Sequence, residues 1–128
     1  MTNMPTEAQT KETILAEPVF VEGILMEAAS GNRPDALELV SLFREVTDAA
    51  FQEQKIALDR GDFGAVRRLA HRSAGSAAAC GLPRLTMALR AVETAPDASV
   101  AQAWHMAERM YGEARAALDR FYNTESES

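Results

Sequence analysis

The sequence predicts an all-α protein, an antiparallel up-down four-helix bundle with a short additional helix at its N-terminal end. Hydrophobic residues make up 47% of the 128 positions and aromatic residues only 6%, a balance that favours closely packed helices over a sheet rich in β-branched and aromatic side chains. Proline and glycine bracket long amphipathic segments as helix starts and stops require. Short connections between such segments make consecutive helices antiparallel neighbours.

One domain accounts for the chain, because 128 residues suffice for a single hydrophobic core. Residues 1–16 are polar, and residues 123–128, which read NTESES, are acidic and rich in serine. We therefore expect both ends to fray as flexible tails. The helical bundle is predicted to occupy residues 17–122.

The first two predicted helices lie between prolines and glycines. Pro18 opens a short first helix that Gly31 closes, and Pro34 opens a much longer second helix that Gly61 closes. Three apolar residues of the first helix either cap the bundle or bridge two copies of the chain, namely Phe20, Ile24 and Leu25.

Three further helices follow. Asp62 caps the third helix, which Gly81 ends, and Pro83 begins the fourth. The break TAPDAS precedes a fifth helix that runs from about Asp97 to Tyr122. The second and fifth helices each carry one apolar stripe with residues three and four positions apart. The stripe of the second helix is Leu37, Val40, Phe43, Thr47, Ala50 and Leu58, and that of the fifth is Val100, Trp104, Ala107, Tyr111, Ala114, Leu118 and Phe121.

Charge and cysteine content favour a protein partner in the cytoplasm. The formal net charge is −6 and no Lys/Arg stripe is sustained, so nucleic acid and anionic membrane surfaces would repel the chain. The single Cys80 cannot form an intramolecular disulfide, and the first residues lack the basic start and long apolar run of a secretory signal or membrane span. We expect neither a nucleic-acid nor a membrane partner.

The stretch LAHRSAGSAAACGL, residues 69–82, places His71 among small residues. At about 100° per residue, His71 points away from the bundle, because the side chains expected to face the core lie on the opposite side of the third helix. Those core-facing residues are Leu69, Ser73, Ser76 and Cys80, with Val66 and Ala77 close behind.

The face that carries His71 is predicted to admit the backbone of a partner. Four small residues leave room there for close approach: Gly64, Ala74, Gly75 and Ala78. Arg67, Arg68 and Arg72 place positive charge beside the imidazole in a protein that is acidic overall, an arrangement that suits phosphate chemistry.

The same residues argue against a metal, a cofactor or hydrolytic chemistry. The two histidines are isolated and, with one cysteine, have no metal-ligand spacing, and no glycine-rich phosphate loop follows a strand. Cys80 lies opposite His71, so a Cys-His nucleophile pair is not expected. His105 is predicted to have no direct role.

The run RRLAHRSAGSAAACGLPRLTMALRAVE resembles the signature of histidine-containing phosphotransfer (HPt) domains, in which a helix reading Ala-His-x-Leu-Lys-Gly-Ser-Ser precedes a glycine turn and a helix ending in Leu-Glu. The matching residues are His71, Gly75, Ser76, Gly81, Leu85 and Glu93. The preceding residues look like the helical hairpin of the family, so the resemblance extends over most of the chain from about Ala36.

Two positions depart from the family pattern. Ala74 stands where the family has a lysine beside the phosphorylated histidine, and Ser73 replaces an apolar residue. The family's lysine neutralises the phosphoryl group, so the resemblance implies that another cation takes this role here. The candidates are Arg67, Arg68 and Lys55.

The resemblance implies that His71 accepts a phosphoryl group from the phospho-aspartate of a receiver domain and passes it to the aspartate of another receiver. The neutral imidazole is the nucleophile. The protein would then be a phosphoryl carrier rather than a self-sufficient enzyme, without a cofactor or metal of its own. Its expected partners are response-regulator receiver domains and a hybrid sensor histidine kinase.

Two other functions remain open from the sequence. A pseudo-HPt adaptor, lacking the lysine, would bind and regulate a kinase or receiver through the same face without carrying phosphate. A plain helical adaptor would bind its partner elsewhere, with Trp104, Met106 and Met110 as candidate contacts.

Overall fold

Six α-helices and one 3₁₀ turn make up the part of the chain that the computed structural model describes, residues 6–127. No strand occurs among those residues, so the predicted all-α class is confirmed. The helices are α1 (Glu7–Ala16), α2 (Glu22–Ala28), α3 (Arg33–Asp59), α4 (Phe63–Ala79), α5 (Pro83–Thr94) and α6 (Val100–Glu127), with the 3₁₀ turn (Asp97–Ser99) between α5 and α6.

Side-chain caps define the starts of α3 and α4. The Asn32 side chain accepts a hydrogen bond from the Asp35 N–H at 2.9 Å, ahead of α3. Asp62 accepts from the Ala65 N–H at 3.1 Å and so caps α4, as predicted. Between them Gly61 has a φ of +73°, which lets the chain reverse direction.

The N-terminal segment contains a helix where the sequence predicts a frayed tail. Thr6 and Gln9 form a reciprocal capping box at the start of α1, and Ile14 is buried in the core. The prediction of a flexible tail over residues 1–16 is therefore wrong for residues 7–16. Residues 1–5 lie outside the described part of the chain.

Arg84, at the start of α5, holds the end of α1. Its guanidinium donates hydrogen bonds to the carbonyl oxygens of Leu15 at 3.0 Å and Glu17 at 2.9 Å, and to the carboxylate of Glu113 on α6 at 2.8 Å. These acceptors come from both ends of the sequence. Because the polar composition of α1 carries no sign of these contacts, the sequence alone predicts a tail.

The short helix α2 caps one end of the bundle. It begins at Glu22 rather than at Pro18, which lies in the preceding connection. Leu25 is fully buried, and the Phe20 ring meets Phe121 edge to face at 5.7 Å, while Ile24 remains 40% exposed. Leu25 and Phe20 thus pack onto their own bundle.

The last helix continues further than predicted. It begins at Val100, after the 3₁₀ turn, and its backbone remains helical to Glu127. Its predicted stripe from Val100 to Phe121 is buried throughout. The predicted tail over residues 123–128 is therefore helical as far as Glu127, and Ser128 lies outside the described residues. None of the described helices is both long and apolar enough to cross a bilayer.

Helices α3 to α6 pack around one core, each against the next in sequence, with α3 also against α6. Arg44 in the first half of α3 pairs with Asp119 in the second half of α6, whereas Gln54 further along α3 accepts a hydrogen bond from the indole N–H of Trp104, near the start of α6, at 2.7 Å. The two helices therefore run antiparallel. Trp104, Met106 and Met110, the candidate contacts of a plain adaptor, are all buried in this core.

Tyr111 of α6 contacts both an aromatic residue of the core and a polar residue of α3. Its ring stacks on Phe51 with centroids 4.7 Å apart, and its hydroxyl donates to the Asp48 carboxylate at 2.5 Å. Burial first, and then the hydrogen bond to Asp48, raise the pKa of Tyr111 above its usual value. The protonated phenol is therefore the form that the fold stabilises.

We predict that alkali destabilises the protein through Tyr111. Above pH 10.0, the usual pKa of the group, the unfolded chain releases the phenolic proton while the folded chain keeps it, so the free energy of unfolding falls as pH rises, by up to about 1.4 kcal/mol per pH unit. Urea denaturation at several alkaline pH values should give this slope in the wild type and a shallower one in Tyr111→Phe. Equal slopes would contradict the prediction.

Gly81, in the turn between α4 and α5, has no room for a side chain. Its φ is +77°, and a Cβ atom there would lie 2.4 Å from the Val21 carbonyl oxygen. The Val21 N–H in turn donates to the Gly81 carbonyl at 2.8 Å. This contact fixes the start of α2 against the α4–α5 turn.

Gly81→Ala should therefore lower the free energy of unfolding by about 2 to 5 kcal/mol, from the left-handed backbone and the steric clash together. Gly61→Ala is the matched control, because Gly61 also has a positive φ but nothing within 4 Å of its added Cβ. We expect that control to lose only about 1 to 2 kcal/mol. Chemical denaturation measures both, and equal losses would show that the contact with Val21 is unimportant.

Candidate functional site

His71 stands on the surface of α4 with one ring nitrogen engaged. Its side chain is 74% exposed, and Nδ1 lies 2.5 Å from the Glu93 carboxylate oxygen on α5. No described residue bonds to Nε2. The Nδ1–H group donates a hydrogen bond to the carboxylate, which leaves the lone pair on Nε2 facing solvent. The outward orientation predicted for His71 is confirmed.

Small side chains allow the two helices to come together at this point. Ala70, Ala74 and Ala77 of α4 and Ala88 of α5 are all fully buried, and α4 packs closely against α5. Short side chains at a helix contact bring the two backbones together. Glu93 thereby reaches across from α5 to the imidazole.

The burial of Ala74 corrects the sequence analysis. The prediction placed Ala74 on the accessible face and Ser76 in the core, whereas Ala74 is fully buried and Ser76 is exposed. The reason is that α4 packs against α3 on one side and α5 on the other, so its buried arc is not centred opposite His71. Of the other residues predicted to face the core, Leu69 is partly exposed, and four are buried: Val66, Ser73, Ala77 and Cys80.

The remaining small residues of the His71 face are accessible. Gly64, Gly75 and Ala78 are exposed, and a Cβ added at Gly75 would meet nothing within 4 Å. At Gly64 it would meet the Arg68 guanidinium at 3.3 Å. The surface next to His71 is therefore open around Gly75.

Two of the predicted phosphate-neutralising cations have other partners. Arg67 donates to the Asp97 carboxylate at 2.5 Å and to the Ala95 carbonyl at 2.9 Å. Lys55 pairs with Asp59 on its own helix at 3.0 Å. Neither Arg67 nor Lys55 contacts His71 in any described contact, because each bonds to another acceptor. The position of each residue relative to His71 does not reveal that acceptor.

Three other arginines near the site in sequence are exposed and make no ion pair within residues 6–127. Arg68 and Arg72 flank His71 on α4, as predicted. Arg90 lies on α5 one turn before Glu93 and is not among the residues predicted from the sequence. The sequence does carry a signal for Arg90, because its three-residue spacing from Glu93 places both residues on one helix face.

Neither His105 nor Cys80 forms part of this site. His105 is 53% exposed on α6, its ring contacts Trp104 edge to face, and its nearest acid is Glu108 at 3.7 Å. Burial raises the pKa of the Cys80 thiol, which keeps it protonated and unreactive.

Comparison with known proteins identifies the family. The family model described as Hpt domain matches residues 38–123, more than half of the chain. Neither the curated proteins nor the solved structures give a match to the chain. The matched range includes both His71 and Glu93. The chain therefore belongs to the Hpt domain family and is a phosphotransfer module of the two-component phosphorelays in which such domains work with receiver domains and histidine kinases.

Proposed function

We propose that the protein carries a phosphoryl group on Nε2 of His71 between the aspartates of receiver domains. One observation carries this proposal: an imidazole that is 74% exposed has Nδ1 held by Glu93 at 2.5 Å. A nucleophile must be both accessible and in the correct tautomer, and the contact with Glu93 provides the tautomer with a free Nε2 lone pair.

The transfer needs no proton to leave the ring. The Nε2 lone pair attacks the phosphorus of the receiver's phospho-aspartate, an N–P bond forms, and the P–O bond breaks with its electron pair remaining on the aspartate carboxylate. The ring becomes cationic with the proton still on Nδ1, and the negative charge of Glu93 stabilises that cation. Transfer to the next receiver reverses these changes.

Exposed arginines supply positive charge for the phosphoryl group. A phosphoryl group on His71 carries up to about two negative charges, and Arg68 and Arg72 have no ion pair within the described residues. We assign them this role in preference to Arg67 and Lys55, whose charges are paired with Asp97 and Asp59. The open surface at Gly64, Gly75 and Ala78 then admits the receiver.

The partners follow from this chemistry. The protein holds the phosphoryl group but does not itself supply it, so we propose receiver domains and a hybrid sensor histidine kinase as its donors and acceptors. These partners imply a cytoplasmic location.

A pseudo-HPt adaptor is the second candidate, and one observation favours it. The position where the family carries a lysine is Ala74, which is fully buried and offers no charge. In this function the same face would bind a receiver or kinase, and His71 would remain unmodified.

Phosphoryl uptake separates the two candidates. Wild-type protein incubated with a phosphorylated receiver should acquire acid-labile phosphate, and His71→Gln should acquire none, because an amide cannot act as the nucleophile. His105→Gln is the matched control and should be labelled like the wild type. Receiver binding without labelling of the wild type would establish the adaptor instead.

The contribution of Glu93 is tested in the same assay. Glu93→Ala removes the acceptor at Nδ1 and the negative charge beside the cationic ring, so uptake should slow by about tenfold, equivalent to about 1.4 kcal/mol of barrier. Glu93→Gln keeps an acceptor oxygen without the charge, so its rate of uptake should lie between those of the wild type and Glu93→Ala. If both variants transfer at the wild-type rate, Glu93 has no part in the reaction.

A further inference from the structure

We infer that Arg67 is a positioning residue for phosphotransfer: by fastening the end of α5 to α4, it holds the Glu93 carboxylate at Nδ1 of His71. This inference rests on the proposed function of His71. It gives Arg67 a task different from the neutralisation of phosphate that its spacing from His71 suggests.

The contacts of Arg67 span the two elements that form the site. Its guanidinium leaves α4 one turn before His71 and donates to the Ala95 carbonyl at 2.9 Å and to the Asp97 carboxylate at 2.5 Å. Both acceptors lie just beyond the end of α5. The Arg67 side chain is only 29% exposed, so these bonds are partly shielded from water and are stronger than those of a fully exposed pair.

The backbone carbonyl of Ala95, at the end of α5, requires a hydrogen-bond donor. It is the C-cap of α5 and has an extended backbone, with φ −68° and ψ 136°. The last carbonyl groups of a helix have no partner within the helix. Arg67 satisfies one of them and also pairs with Asp97, so a single side chain holds the end of α5 and the start of the 3₁₀ turn.

Glu93 precedes Ala95 by two residues, so the Arg67 contact and the His71–Glu93 contact are adjacent links between α4 and α5. Arg67 precedes His71 along α4, whereas their partners occur in the reverse order, with Glu93 before Ala95. This reversal is expected for antiparallel helices. If the first link is lost, the last turn of α5 is free to move away, and Glu93 moves with it.

The ion pair with Asp97 also explains why Arg67 is unsuited to phosphate. Its charge already has a carboxylate partner, whereas Arg68 and Arg72 on α4 and Arg90 on α5 have none within the described residues. These three arginines are the charged side chains of α4 and α5 for which the described residues provide no ion pair. None of the three arginines bonds to Ala95 or Asp97, so none can replace Arg67 at the end of α5.

The tautomer of His71 is the direct readout. In ¹⁵N NMR spectra of the neutral imidazole ring, the wild type should show a proton on Nδ1. Arg67→Ala should shift the population toward the Nε2–H tautomer and slow phosphoryl uptake by about tenfold. Arg67→Lys retains a donor at the end of α5 and should restore uptake to within about threefold of the wild type.

Arg44→Ala is the matched control. Arg44 also forms a partly buried ion pair between helices, with Asp119, and its side chain is 33% exposed. It contacts neither α4 nor α5 in any described hydrogen bond or ion pair. Its loss should lower stability as Arg67→Ala does, but leave both the His71 tautomer and the uptake rate unchanged.

Asp97→Asn provides a milder test if Arg67→Ala fails to fold, because Asp97 is 70% exposed. It should shift the tautomer in the same direction by a smaller amount. A wild-type tautomer in both Arg67→Ala and Asp97→Asn would overturn the inference. Absence of labelling in wild-type protein would overturn the proposed phosphotransfer instead, and the tautomer measurement would still decide whether Arg67 positions Glu93.

Discussion

The close contact between α4 and α5 is the constraint on which the site depends. The helices α4 and α5 pack closely, and Ala70, Ala74 and Ala77 of α4 are fully buried, so their short side chains let a neighbouring backbone approach. Only at this short separation does the Glu93 carboxylate reach the His71 ring.

Different contacts hold the two ends of α5. At its start, Arg84 binds the carbonyl groups at the end of α1 and the carboxylate of Glu113, so that the N-terminal segment is fixed to the bundle. At its end, Arg67 binds Ala95 and Asp97. One arginine thus anchors each end of the helix that carries Glu93, and each makes several directional bonds of the kind that a guanidinium favours.

Two exposed arginines place positive charge beside His71 on α4. Four cations elsewhere in the bundle have their charges paired with acids, namely Arg44, Lys55, Arg67 and Arg84. Arg68 and Arg72 are exposed beside His71 without such a pair in the described range. A local positive patch on a protein of net charge −6 attracts an acidic partner to that patch in particular, and a receiver's carboxylate-lined pocket is such a partner.

The sequence by itself determined the helical class, the boundaries of α3, α4 and α5, the buried stripe of α6 and the outward direction of His71. These depend on local rules: caps, glycine turns, proline starts and a repeat of 3.6 residues. The tertiary structure decided the rest. Ala74 is buried because α4 has a neighbour on each side. The end of α1 is held because Arg84, 69 positions after Leu15 in the chain, donates a hydrogen bond to the Leu15 carbonyl. Arg67 pairs with Asp97, an acid that the helical wheel of α4 does not include. A helical wheel gives the direction in which a side chain points. The residue that the side chain contacts depends on which other helix packs on that side, and the packing of the whole core determines that helix.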